Sequence, residues 1–100
     1  MGTRLELHNE ILKMIPNAYF QPPSNLQLKY PCIVYRKVPS WKEYGNNNIY
    51  IKKQGYQLTL IETNPDSPVA DEIEEHFDYC SITQNYVVDS LHHTTINLNY

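Results

Sequence analysis

Apolar residues near the start of the chain recur at helical spacing. At about 100° per residue, Leu5, Leu7, Ile11, Leu12, Met14 and Ile15 fall on one half of a wheel, and Glu6, Asn9, Glu10 and Lys13 on the other. Thr3, with Glu6 three residues later, has capping-box spacing, and Pro16 ends the pattern. A helix is expected over residues 3–15. Tyr19 and Phe20 then predict a short strand, and Pro22-Pro23-Ser24-Asn25 a loop, because consecutive prolines remove donors and bar helix.

The period changes to two further on. Ile33, Val34 and Tyr35 are β-formers bounded by Pro31 and Pro39, which predicts a strand over 31–37. Asn46-Asn47-Asn48 marks a polar turn. Residues 49–62 form the longest predicted strand, with Tyr56, Leu58 and Leu60 on one face, Gln57, Thr59 and Ile61 on the other, and Gly55 as a place to bend or bulge. Asn64-Pro65-Asp66 closes it. Ser67 as N-cap and Pro68 at the first helical position open a helix to about Phe77, with Val69, Ala70, Ile73 and Phe77 in one stripe and Asp71, Glu72, Glu74 and Glu75 outside it. Two closing strands, 79–88 and 93–100, flank a turn at Asp89-Ser90-Leu91. The order predicts an α+β domain, a mostly antiparallel sheet with two helices packed on one face.

The chain has 100 residues, 41% of them hydrophobic, enough for one modest core and one domain over 1–100. Its start has no apolar run of signal-peptide length, and no window approaches the roughly 18 apolar residues of a membrane span, so a soluble protein without membrane contact is expected. Cys32 and Cys80 lack metal-ligand spacing and are expected to be free thiols. A net charge of -3 argues against a free-standing nucleic-acid binder. Nine Tyr against two Phe and one Trp suit half-buried contact surfaces.

Candidate chemistry is sparse. Asp89, His92 and His93 crowd one turn, with Cys80 and His76 nearby in sequence; they define the alternative of a small metal-dependent hydrolase or nuclease. Adjacent histidines on a strand point to opposite faces, and the local carboxylates raise a thiol pKa, so neither metal, cofactor nor catalytic residue is expected. His8, in the apolar half of the first helix, reads as a packing residue.

Charge is distributed unevenly. Residues 36–61 hold Arg36, Lys37, Lys42, Lys52 and Lys53 against the single Glu43, whereas 62–78 hold seven acidic residues and neither Lys nor Arg. Such segregation is compatible with plain solvated surfaces, or with head-to-tail association of copies that places the basic ribbon against Glu72 and Glu75 of a neighbour. A basic ribbon facing DNA in a lumen is the third arrangement. Trp41 and Tyr44, among Pro39, Ser40, Gly45 and three Asn, form a candidate partner-docking loop.

Tyr30-Pro31-Cys32-Ile33-Val34-Tyr35, Asn64-Pro65-Asp66-Ser67, Tyr79-Cys80-Ser81 and Asp89-Ser90-Leu91-His92-His93, followed by an alternating last strand, occur in an order that resembles the tail terminator, or tail completion, proteins of long-tailed bacteriophages infecting Gram-positive bacteria. The resemblance implies an α+β protomer of a hexameric ring, made in the host bacterial cytoplasm and residing in the virion at the head-to-tail junction. There it ends growth of the tail tube and joins it to the head connector. Implied partners are copies of itself, the tail tube protein, head-tail connector proteins and, passively, DNA in the lumen. A head-tail adaptor or stopper is the alternative within this class. The segment 41–48 is individual to this chain.

Overall fold

Thr3 opens the first helix as its side chain predicts, accepting a hydrogen bond from the Glu6 N–H at 3.2 Å. A computed structural model describes residues 3–39, 54–77 and 79–100. Helix α1 covers Arg4–Leu12, and its last turn tightens, with both Met14 and Ile15 N–H groups donating to the Ile11 carbonyl. Leu7, Ile11 and Ile15 are buried at successive i, i+4 positions. Leu5 and Leu12, expected in the same apolar half, are instead 64% and 42% exposed. They sit roughly 100–120° around the wheel from Ile11, too far to reach the sheet beneath.

The strands are β1 (Asn17–Phe20), β2 (Cys32–Val38), β3 (Gly55–Glu62), β4 (Cys80–Val88) and β5 (Leu91–Asn99), with helix α2 (Val69–His76) between β3 and β4. They form one sheet in the order β1-β2-β3-β5-β4. Among the described residues, only β1 and β2 are parallel; the other three pairings are antiparallel. Strand β3 matches the expected face division. Its expected extension over 49–53 lies outside the described residues.

Register aligns the core. Phe20, Tyr35, Leu58, Ile96 and Ile82 are consecutive partners across all five strands, and Tyr56, Leu98 and Cys80 form the adjoining row. These side chains join Leu7, Ile11 and Ile15 of α1 and its exit, and Ile73 and Phe77 of α2, in one apolar cluster, so both helices cover the same sheet face. Each fully buried Leu or Ile stabilises this layer by about 1.5–3 kcal/mol. Tyr35 and Tyr56, 1% and 2% exposed, belong to this core and not to a contact surface. The Tyr35 hydroxyl bonds His8 Nδ1 at 2.6 Å, which gives His8 the packing role expected of it.

Three local expectations change. Gly55 is not a bulge: a Cβ there would lie 2.7 Å from the carbonyl oxygens of Val38 and Pro39, so glycine permits a close approach between β3 and the end of β2. The irregularity falls in β4, where the register shifts between Ile82 and Gln84 and the intervening Thr83 hydroxyl donates to the Thr95 carbonyl. Leu91 is not a turn residue but pairs with Val88, leaving Asp89 and Ser90 as a two-residue turn with φ of 52° and 65°. Both positive angles match the tight hairpin turn whose twist suits the flanking strands.

Helix α2 begins one residue later than expected, at Val69. The Ser67 hydroxyl still accepts from the Val69 N–H (3.3 Å), and it donates to Glu62 Oε1 at 2.7 Å. That bond ties the helix entry to the end of β3 and satisfies Glu62, which is only 9% exposed. Glu10 on α1 and His76 on α2 meet at 2.8 Å and join the helices side by side.

Candidate functional site

Lys42, Lys52, Lys53, Trp41 and Tyr44 lie outside the described residues. Of the basic ribbon, Arg36 and Lys37 are placed, both exposed near the end of β2. Arg36 occupies the sheet face away from the helices, where its Nε donates to Gln57 Oε1 at 3.0 Å. Lys37 alternates to the helix-facing side, in register with Tyr56. Glu72 and Glu75 are exposed on α2, which packs against β4 and β5. The basic pair and the acidic helix therefore occupy opposite lateral halves of the sheet, with β3 between β2 and the strands beneath α2. Among the described residues, no ion pair joins them within the protomer. Their charges are available to other molecules.

The enzyme-like cluster does not converge. Asp89 is exposed in the hairpin turn; His92 is registered between Glu62 and Val87; His93 is registered between Ile61 and Tyr86 on the other face. The His93 ring stacks on Tyr86 at 4.8 Å, and its Nδ1–H donates to the Leu91 carbonyl. Among the described residues, no group of three or more His, Cys, Asp or Glu is placed to hold a metal ion. A cavity of about 410 Å³ does open between the start of α2 and the hairpin, with Glu62, Ser67, Asp71, Asn85 and His92 on its walls. Its most buried acid, Glu62, accepts the Ser67 hydroxyl, which ties that carboxylate to the helix entry.

Burial pushes the Cys80 thiol up to about 11, with the Glu74 charge adding to the effect, and the His76 ring is engaged by Glu10. No thiolate-imidazole pair forms at neutral pH. Burial alone raises Cys32 to about 11 as well. Both thiols are free. Three strand spacings separate β2 from β4, about 14 Å, twice the separation a disulfide spans.

One surface escaped the sequence reading. Among the described residues, strand β4 lies at the edge of the sheet, and all of its residues from Thr83 onward are exposed. Its nine residues contain no charge and no proline. That composition was visible in the sequence; the edge position follows only from strand order.

No protein-family model matches the chain, and neither does any curated protein. Among the described residues, no helix is long and apolar enough to cross a membrane.

Proposed function

We propose that this chain is a structural protein of a bacteriophage virion, a ring-forming tail terminator at the head-to-tail junction. It acts by binding and not by turnover: copies close into a ring, and the ring caps the tail tube and presents a surface to the head connector. The observation that carries this reading is the separation of Arg36 and Lys37 from the α2 carboxylates onto opposite lateral halves of one small sheet. Two unlike patches on opposite sides of a protomer suit a heterologous contact, and a repeated heterologous contact closes a ring when its rotation divides a full turn. The ordered motifs from Tyr30 to His93 support the same reading. A hexamer, with the tail tube protein, head connector proteins and transiting DNA as neighbours, is the arrangement that the resemblance implies.

Exposed ion pairs contribute roughly 0.2–1 kcal/mol each, so charge orients the contact while apolar surface supplies most of its affinity. The test is genetic and visual. Interrupting the reading frame in a phage that encodes this chain should leave filled heads and unjoined tails of irregular length in electron micrographs. Joined particles with tails of normal length would overturn the proposal.

A further inference from the structure

We infer that the outer edge of β4 is the binding strand between copies, adding antiparallel to β1 of the next copy so that neighbouring sheets become continuous. The inference takes its occupant, a second copy of this chain, from the ring reading above.

Natural edge strands are normally blunted by charge, proline or a bulge, since an open edge is a template for pairing. Here the two halves of β4 differ. Near its start, the shift at Thr83 breaks the regular ladder, and Glu74 on α2 takes the Ile82 N–H at 3.2 Å. From Gln84 to Val88 there is neither device, and Tyr86, Val87 and Val88 are 38%, 59% and 48% exposed. Among the described residues this stretch has a strand neighbour on one side only, β5. It is regular and uncharged, and Tyr86, Val87 and Val88 give its second half an apolar character, properties that favour strand addition.

Direction and charge select the complementary edge. Following the pairings across the sheet, β4 runs opposite to β1. A copy placed alongside, with its helices on the same side, therefore offers β1 in antiparallel orientation. Pairing β4 with β4 of a two-fold related copy would instead set two α2 helices side by side, each bearing Asp71, Glu72, Glu74 and Glu75. Pairing with β1 brings α2 toward the half of the neighbour that carries Lys37 on its helix-facing side.

Helix α1 supplies an independent match. Glu10 faces α2, and Leu5 and Leu12 lie about 140–160° around the helix from it, on the flank turned toward the β1 edge. Val87, in register with His92 and Glu62, lies on the helix-facing side at the opposite edge. Head-to-tail addition covers these exposed apolar residues together. Two-fold pairing through β4 leaves Leu5 and Leu12 in water.

The test combines an edge charge with chemical trapping in the full chain. Val87→Lys puts a charge on an exposed position, so its circular dichroism should match the parent while self-association, followed by native mass measurement, weakens about tenfold or more. Ala18→Cys mixed with Asn85→Cys should give intermolecular disulfides on mild oxidation, and Asn85→Cys alone should give few. Rings that persist in Val87→Lys, without trapping of the mixed pair, would overturn the β4 assignment and leave the ring reading intact. Efficient trapping of Asn85→Cys alone would overturn it in favour of two-fold pairing. If the parent chain forms no ring, the ring reading fails, and the β4 contact then stands or falls on whether the mixed pair is trapped.

Discussion

Glu74 of α2 accepts the backbone N–H of Ile82 on β4 at 3.2 Å, so the acidic helix seals the first half of the sheet edge. An edge N–H loses little by facing water instead, which keeps the bond's net value small. Glu74→Ala should destabilise the protomer by about 0.5–1 kcal/mol in urea denaturation. Amide exchange at Ile82 should accelerate in the same variant. Unchanged exchange would show that the carboxylate does not hold that N–H.

The hairpin turn is strained at Ser90. Its φ of 65° lies in the left-handed region, where a Cβ costs about 1 kcal/mol and glycine does not. Ser90→Gly should raise stability by somewhat less than that, about 0.5 kcal/mol, because glycine also gains freedom in the unfolded chain. A loss of stability would mean that the Ser90 side chain has a role its turn geometry does not reveal.

Glu10 sits between Lys13 and His76. Lys13 first and His76 second hold its carboxyl below the ordinary value of 4.5. A depressed carboxylate contributes stability above its unfolded pKa and loses it as pH falls through the folded one. The α1–α2 link should therefore persist to below pH 4.5 and weaken under more acid conditions. In an NMR titration, Lys13→Ala should raise the Glu10 midpoint more than His76→Ala does. The reverse ranking would show that the shorter His76 contact, 2.8 Å against 3.1 Å, governs the Glu10 carboxyl.

The thiols offer a further check. At about 11, against an ordinary 9.0, each carries about a hundredfold less thiolate at pH 8 than a free cysteine. Alkylation of the folded protein should be slow at pH 8, rise as pH approaches 11, and become fast at any of these pH values in denaturant. Rapid labelling of Cys80 at pH 7 would show an activated thiol and reopen the enzymatic alternative.

Period and turn chemistry carried most of the fold into view from the sequence. The alternation of Tyr56, Leu58 and Leu60 against Gln57, Thr59 and Ile61 gave β3 its faces, and Thr3 and Pro16 bracketed α1. What escaped was tertiary. Leu5 and Leu12 looked like core because a half-wheel is wider than the stripe one sheet can cover. The need for glycine at 55 arises from backbone 16 residues or more away in sequence, which no local window contains. The candidate site was legible as charge: the segregation of Arg36 and Lys37 from Glu72 and Glu75 needed only a strand order to become two flanks. The β4 edge was not, since an uncharged strand reads the same at the edge as in the middle.

Charge reversal probes the assembly itself. Arg36→Glu with Lys37→Glu should impair ring formation, and adding Glu72→Lys with Glu75→Lys in the same chain should partly restore it. Moderate salt should weaken the ring without abolishing it, because the apolar contacts are not screened. Rings indifferent to both reversals would remove charge matching from the account. If genome passage changes while assembly does not, the basic residues face the lumen.

The central claim is tested most directly by an image reconstruction of the head-to-tail junction in a phage that encodes this chain. The account predicts a closed ring at the end of the tail tube, each subunit showing two helices over one face of a five-stranded sheet, with six copies expected. A junction built from other chains, or this fold found elsewhere in the particle or missing from it, would contradict the claim.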